Sequence, residues 1–278
     1  ITVDVTAVND APTGANATVT ATEDTPLVLT AANFGFSDVD AGDTLGAVRI
    51  DTVATAGTQQ YDTTGTGTWA AVTANQVITA ADIGANRLRF SPAANANGAG
   101  YATFTFSVRD ATTFDAAPNT ITVDVTAVND APTGANATVT ATEDTPLTLT
   151  AANFGFSDVD VGDTLGAVRI DTIASAGTLQ YDTTGGGNWV AVTANQVITS
   201  ADIGANRLRF SPAPNANGAG YATFTFSVRD ATTFDAAPNT ITVNVTAVND
   251  APTGANATVT ATEDTPLTLT AANFGFSD

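Results

Sequence analysis

The sequence predicts an all-β chain of tandem Greek-key β-sandwich domains, and three observations carry this prediction. The composition is rich in Thr and Val, which favour strands, and in Gly, Asn and Asp, which favour turns. The sequence also repeats itself with a period of 120 residues, the size of a whole domain. Within each repeat, short segments alternate apolar with polar residues and are separated by turn signals, the pattern typical of half-buried strands.

The repeat is nearly perfect. The segment ITVDVTAVNDAPTGANATVTATEDTPL begins at Ile1 and Ile121, and it returns at Ile241 with Asn244 in place of an Asp. Residues 1–120 and 121–240 differ at ten positions, mostly by mild swaps. The chain starts and stops inside a repeat, so we expect it to be an interior window of a longer array.

The Asn-Asp-Ala-Pro stretches mark the joints between domains, because Pro ends a strand and Asn and Asp favour turns. The expected division is 1–10 (last strand of a preceding repeat), 11–130, 131–250, and 251–278 (start of the next repeat).

The alternating pattern predicts the elements of one repeat in order. Strands are expected around residues 17–21, 27–29, 48–50, 77–78, 88–90, 101–110 and 121–125, with a Gly/Thr-rich hairpin region at 59–69. Residues 30–36 and 79–84 are expected to form single helical turns. Arg87 and Arg89 alternate with Leu88 and Phe90, so they should face solvent. Seven or eight short strands of this kind predict a sandwich that is immunoglobulin-like in outline.

Missing residue types exclude several functions. The chain contains no Cys, Met, His or Lys, and its only cationic side chains are eight Arg. Thiolate metal sites, Ser-His-Asp and Cys-His triads, and Schiff bases are therefore excluded, and we expect no enzyme activity. A formal net charge of −20 argues against nucleic acid or an anionic membrane as a partner. No apolar run is long enough for membrane insertion of this segment.

The motifs resemble a known family. The phrases AVNDAPT, ATEDTPL, FSDVDAGDTL, LRFSPAANANGAGYATFTFSVRD and ITVDVTAVND occur in this order through the whole repeat. They are similar to the cadherin-like tandem repeats of giant bacterial surface adhesins, including RTX-type and biofilm-associated adhesins. The resemblance implies a non-catalytic extender, often calcium-binding, which holds an adhesive domain away from the cell.

Carboxylates that lie far apart in the sequence are expected to meet at the end of each sandwich. The loop after the second strand, the loop before the last strand and the incoming joint share that end, and calcium prefers six to eight oxygen ligands. The resemblance to animal cadherins supports the same sets: a linker Asn-Asp, a D-x-D pair and a late Asp. The predicted Ca²⁺ ligands are Asn9, Asp10, Asp38, Asp40 and Asp110 at the first joint; Asn129, Asp130, Asp158, Asp160 and Asp230 at the second; and Asn249, Asp250 and Asp278 at the third.

Additional ligands are expected near these sets. Glu23 and Glu143 resemble the cadherin glutamate near the first strand, and each would serve the joint that follows its own domain. Asp43 and Asp163 lie three residues beyond the D-x-D pairs. The loop before the FTFSV strand has no acid, unlike that of animal cadherins, so we expect about one well-formed calcium per joint.

The predicted function is a structural extender segment of a bacterial cell-surface adhesin, made rigid by calcium at its domain junctions, extracellular and acting in cell adhesion or biofilm attachment. Its partners would be neighbouring repeats of the same chain. Two alternatives remain open: a self-assembling extracellular filament or sheath of like chains, and a carbohydrate-binding module with Trp69 and Tyr61 as its platform. A glycosidase is a remote third, because it would need two positioned acids in a cleft.

Overall fold

The computed structural model, which describes residues 1–6 and 8–277, divides into two compact units, Ile1–Asp130 and Ala131–Asp278. Nearly all regular structure consists of strands, and each unit holds one five-residue α-helix. In the described part of the chain, no helix has the length and apolar character needed to span a bilayer.

The first unit contains nine strands in two sheets. The strands are β1 (Ala17–Thr22), β2 (Leu27–Val28), β3 (Ala47–Thr52), β4 (Thr58–Tyr61), β5 (Ala70–Ala71), β6 (Gln76–Thr79), β7 (Leu88–Ser91), β8 (Gly98–Arg109) and β9 (Asn119–Thr126). One sheet has the order β1-β9-β8-β3-β6 and the other the order β2-β7-β4-β5. Neighbours pair antiparallel except β1 and β9, which run parallel with Ala17 opposite Ile121 and Thr22 opposite Thr126.

The two predicted helical turns form where the sequence placed them. A 3₁₀ turn spans Ala31–Phe34 and ends at Gly35, whose φ of 55° is the left-handed conformation that glycine adopts without a Cβ penalty. Helix α1 spans Ala80–Gly84, and the Thr79 hydroxyl caps it by accepting a hydrogen bond from the Asp82 N–H.

The second unit repeats this arrangement. Its elements are β10 (Ala137–Thr142), β11 (Leu147–Thr148), a 3₁₀ turn (Ala151–Phe154), β12 (Ala167–Ile170), β13 (Thr178–Asp182), β14 (Trp189–Ala191), β15 (Gln196–Thr199), α2 (Ser200–Gly204), β16 (Leu208–Ser211), β17 (Gly218–Arg229) and β18 (Asn239–Thr246). The sheets have the orders β10-β18-β17-β12-β15 and β11-β16-β13-β14, and β10 again runs parallel to β18.

The core of each unit lies between its two sheets and is built from alternating inward-facing side chains. In the first unit, Phe104, Phe106 and Val108 of β8 are at most 1% exposed, and so are Ile121 and Val123 of β9. These positions are the ones that the period-2 pattern selected, so the alternation prediction is confirmed.

Arg87, just before β7, and Arg89, within it, are both half-buried, although the sequence pattern predicted that they face solvent. Arg87 donates to the Asp82 carboxylate at 2.7 Å. Arg89 donates to Gln60 Oε1 at 2.7 Å, and its guanidinium stacks on the Trp69 ring at 3.8 Å. The long Arg side chains lie outside the core, but neighbouring polar and aromatic groups cover them.

The terminal segments repeat strand sequences without forming strands. Residues 1–6 carry the sequence of β9, and residues 257–262 carry that of β1, yet neither segment has a strand partner among the described residues. Between 251 and 277 the regular structure is a 3₁₀ turn at Ala271–Phe274 and a bridge from Thr253 to Ser277. A strand needs a neighbour for its backbone hydrogen bonds, and none of the described residues pairs with these segments in that way.

Gln59 gives a test of how one repeat difference affects stability. Its side chain is 3% exposed; Oε1 accepts from the Ala54 N–H, but Nε2 is buried without a partner. The second unit has Leu179 at this position, also 3% exposed. We therefore expect Gln59→Leu to raise the free energy of unfolding of the first unit by about 1 kcal/mol, because a buried unsatisfied donor is removed. Urea unfolding would measure it, and Leu179→Gln should lower the stability of the second unit in return. A Gln59→Leu chain that is no more stable than wild type, or a Leu179→Gln chain that is no less stable, would contradict the explanation.

Candidate metal centre

Five predicted residues of the first unit converge at one end of its sandwich. Asn9 Nδ2 donates to Asp110 Oδ2 at 2.9 Å, and the Asp10 N–H donates to Asp40 Oδ2 at 2.7 Å. The Asp40 N–H in turn donates to Asp38 Oδ1 at 2.9 Å. The incoming segment, the D-x-D loop and the residue after β8 are thus joined in one hydrogen-bonded group.

Local backbone features hold the two loops together. Asp110 directly follows β8, and its Oδ1 accepts from the Thr112 and Thr113 N–H groups at 2.5 and 2.6 Å, the side-chain-to-backbone turn typical of Asp. Gly46 lies against this turn, since a Cβ at Gly46 would be 2.1 Å from the Asp110 carbonyl oxygen. Only glycine allows the loop that carries the D-x-D pair to approach so closely.

The cluster concentrates negative charge. Asp38, Asp43 and Asp110 each offer a carboxylate oxygen within 4.8 Å of the others. Burial raises the pKa of Asp43, and so do the charges of Asp38, Asp40 and Asp110. The pKa of Asp110 is instead lowered to about 2, chiefly by the hydrogen bonds from Asn9, Thr113 and Thr112.

One oxygen of this cluster has no protein partner. Asp38 Oδ2 is buried and accepts no hydrogen bond, although its partner oxygen Oδ1 is bonded to the Asp40 N–H. Every side-chain ligand for a cation here would be a carboxylate or amide oxygen, and these are the ligands that a hard divalent ion such as Ca²⁺ prefers. A cation at this place would satisfy the orphan oxygen and offset the mutual repulsion of the acids.

The second unit also brings acids of its D-x-D loop together, in a different group of three. Asp158, Asp160 and Asp163 offer carboxylate oxygens within 4.8 Å of one another, and the Asp160 N–H donates to Asp158 Oδ1 at 3.0 Å. Asp158 Oδ2 is buried without a hydrogen bond, as Asp38 Oδ2 is. Asp230, the late Asp of this unit, accepts from the Thr232 and Thr233 N–H groups. The predicted set that adds Asn129 and Asp130 to these residues draws on both units and stays a prediction.

Glu23 and Glu143 lie near the exit of each unit. The Glu23 carboxylate is 1% exposed; it accepts from Val128 N–H at 2.5 Å and from Asn97 Nδ2 at 2.9 Å, and these bonds lower its pKa. Its oxygens also come within 4.8 Å of the Asp130 carboxylate. In the second unit, a cavity of about 360 Å³ is lined by Glu143, Asn215, Asn217, Ala247, Val248, Asn249 and Asp250. Asp278 lies outside the described residues.

Two further carboxylates with buried oxygens were not predicted from the sequence. Asp115 and Asp235 each have one buried oxygen without a partner, while the other accepts from Asn119 or Asn239 at 3.0 Å. Burial raises the pKa of both groups, and the charges of Asp51 and Asp171 add to this. The ATTFDAAP loops that carry them show no periodic pattern, so composition gave no signal for their burial.

The aromatic residues of the carbohydrate alternative are used within their own domain. One face of the Trp69 ring is covered by Arg89. The Tyr61 hydroxyl donates to Asp82 Oδ2 at 2.8 Å, and the side chain is half-buried. A sugar platform needs open ring faces beside free polar groups, and these two residues do not supply one together.

Comparison with known proteins gives one family match. Residues 134–245 match the family described as the SibA-like, immunoglobulin-like domain. None of the curated proteins matches the sequence.

Among solved structures, the chain is similar to the human protocadherin-24 EC1-2 crystal structure, with 17% identity over 85% of this chain and 98% of that one, at a TM-score of 0.45. The chain is also similar to the structure of protocadherin gamma B2 extracellular cadherin domains 1–5. The identity is 17% over 87% of this chain and 41% of that chain, with a TM-score of 0.41. A third similar structure is an endo-fucoidan hydrolase of glycoside hydrolase family 107. The identity is 21% over 86% of this chain and 29% of that chain, with a TM-score of 0.25.

The family match covers the second sandwich from Gly134 to Val245. Residues 14–125 of the first unit form the same strands from nearly the same sequence, with the same parallel pairing of first and last strand. The chain is therefore a tandem of immunoglobulin-like, all-β sandwich domains.

Proposed function

We propose that the chain is a structural extender segment of a bacterial cell-surface adhesin, and that its domains bind calcium where the linker enters the sandwich. The observation that carries the proposal is the convergence of Asn9, Asp10, Asp38, Asp40 and Asp110 around an orphan carboxylate oxygen. An immunoglobulin-like tandem is compatible with adhesion or with a spacer role, and the extracellular location belongs to the same proposal.

Charge is the first support for a bound cation. Residues 11–130 contain twelve acids and four Arg, a formal charge of −8, so one Ca²⁺ would offset a quarter of it. The acids that would gain most are those that meet at the end of the sandwich, where like charges lie within 4.8 Å of one another. A cation that binds the folded state and not the unfolded chain stabilises the folded state by linkage.

The connection to the linker is the second support. Asn9 and Asp10 precede the first strand of the sandwich, and hydrogen bonds already join them to Asp110 and Asp40. A calcium ion held by the same residues would tie the incoming segment to the domain more strongly than these two hydrogen bonds do. An extender needs such ties, because a free linker lets neighbouring domains hinge.

We expect calcium to raise the melting temperature of the first unit by roughly 10 °C at a free concentration of 100 times Kd, where linkage adds about 2.7 kcal/mol. The chain has one Trp in each unit, so Trp189→Phe leaves Trp69 as a fluorescent reporter of the first unit alone. Melts with calcium, with magnesium and with chelator would measure the effect. Equal shifts with both metals would refute a calcium-specific site.

Variants identify the ligands. Asp38→Asn with Asp40→Asn should abolish the calcium-dependent shift. Asp124→Asn is the matched control: it also removes a carboxylate, but Asn244 replaces it naturally in the second unit and accepts the same 2.7 Å bond, from Gly220 N–H, that Asp124 accepts from Gly100 N–H. A double variant that keeps the wild-type shift would show that the ligand assignment is wrong.

A further inference from the structure

The first and last strands of each domain form a ladder that lies along the path of the chain. β1 and β9 run parallel over six paired positions, from Ala17–Ile121 to Thr22–Thr126, and β10 and β18 share this register. The chain enters the sandwich at the start of β1 and leaves it at the end of β9. Tension on the chain therefore draws the two strands lengthwise past each other.

This geometry loads the ladder in shear. The hydrogen bonds of a parallel pair are evenly spaced along the strands. A lengthwise pull loads them all together, whereas a pull across the strands would break them one after another. β1 is an edge strand, and among the described strands its one neighbour in its sheet is β9, so this ladder holds β1 to that sheet.

A glutamate extends the ladder beyond the last strand pair. The Glu23 N–H donates to the Thr126 carbonyl at 3.0 Å, and the Glu23 carboxylate then accepts from Val128 N–H, two residues further along the outgoing chain. The second carboxylate oxygen accepts from Asn97 Nδ2 at 2.9 Å, which anchors the side chain to the segment before β8. Bonds to an ionised, buried acceptor are stronger than neutral ones.

The second unit repeats each of these contacts. Glu143 N–H donates to Thr246 at 3.0 Å, and its carboxylate accepts from Val248 N–H at 2.5 Å and Asn217 Nδ2 at 2.8 Å. Glu143 is 3% exposed. The carboxylate thus closes the exit end of the ladder in both domains, and it accepts from the same two partners, a Val N–H and an Asn Nδ2.

We propose that β1–β9 and β10–β18 are clamps that resist tension along the chain, and that the Glu23 and Glu143 carboxylates lock them. The proposal rests on the extender role only for the source of the tension. It does not depend on calcium, since every contact in the clamp is made by the protein itself.

Constant-force unfolding of the 278-residue chain, held by handles at its two ends in the presence of chelator, tests the clamp. Each unit should unfold in one step that releases roughly 35 nm of chain. Glu23→Gln with Glu143→Gln should raise the unfolding rate at a given force roughly tenfold, as expected for the loss of one charge-assisted hydrogen bond per clamp. The amide lacks the charge, and it has one acceptor oxygen where the carboxylate uses two.

Two controls separate a lock from a general loss of stability. Asp24→Asn with Asp144→Asn also removes two charges next to the ladder, but these side chains accept from Asn95 and Asn215 N–H groups and not from the outgoing strand. Ile78→Val with Ile198→Val weakens the core at β6 and β15, on the opposite edge of the same sheets. Neither control should change the unfolding rate under force by more than its effect on thermal stability predicts.

The outcomes are decisive for the clamp and separate from calcium binding. The proposal would be overturned if the Glu-to-Gln chain unfolds under force at the wild-type rate. It would also be overturned if that chain unfolds no faster than a core variant with the same fall in melting temperature. Because chelator is present throughout, a failure of the calcium proposal would leave this result unchanged.

Discussion

Replacing Phe106 with Ala should lower the free energy of unfolding of the first unit by about 3–5 kcal/mol, the cost of removing a large aromatic side chain from a packed core. Phe106 is fully buried on β8, and its ring makes an edge contact with Phe34 at a centroid distance of 4.9 Å. Such aromatic pairs add about 0.5–1.5 kcal/mol beyond the area that they bury. Domains are commonly stable by only about 5–15 kcal/mol, so the loss is large.

The second unit supplies the internal reference for this experiment. Phe226 and Phe154 form the same pair, with ring centroids 5.0 Å apart. Phe226→Ala should therefore lower the free energy of unfolding of the second unit instead. Urea unfolding followed by the fluorescence of Trp69 or Trp189, with the other Trp replaced by Phe, reads each unit separately. A Phe106→Ala chain whose two units unfold together at one reduced midpoint would contradict independent cores.

The alternation of residues predicted the strands because burial itself has a period of two. On β8, Phe104, Phe106 and Val108 face inward and are at most 1% exposed, as the pattern required. The partners of the strands were not predictable in the same way. The apolar pattern of ATVTAT at β1 says which face is buried, but nothing in it selects β9 as a parallel neighbour over an antiparallel one.

The acidic cluster was partly predictable, because loops from distant strands share one end of a sandwich. Asp38, Asp40 and Asp110 meet with the linker residues. Asp43, predicted only as an additional ligand, has a carboxylate oxygen within 4.8 Å of those of Asp38 and Asp110. Sequence gave no account of what the oxygens of Glu23 bind. Its hydrogen bonds to Asn97 and Val128 depend on the side chain folding back onto the exit of β9.

Replacing Asp110 with Ala should lower the melting temperature of the first unit by roughly 5–10 °C at neutral pH, even without calcium. The residue is fully buried, and the change leaves the Thr112 and Thr113 N–H groups without their acceptor and removes one of the two acceptors of Asn9 Nδ2. The pH dependence should identify the cause. Because folding lowers the pKa of Asp110 from 3.8 to about 2, its stabilisation is complete above pH 3.8 and is lost as the pH falls towards 2.

The difference in melting temperature between wild type and Asp110→Ala should therefore become smaller as the pH falls from 4 to 2. Protonation removes from the wild type the same charge that the substitution removes. Melts in chelator across this range would measure it, with Trp69 reporting the first unit in a Trp189→Phe chain and Trp189 reporting the second unit in a Trp69→Phe chain. The second unit retains Asp230 with its own bonds to Thr232 and Thr233, so its transition serves as the reference at every pH. A gap that stays constant down to pH 2 would mean that Asp110 stabilises the turn by its shape and not by its charge, and the electrostatic account of this end of the sandwich would have to be abandoned.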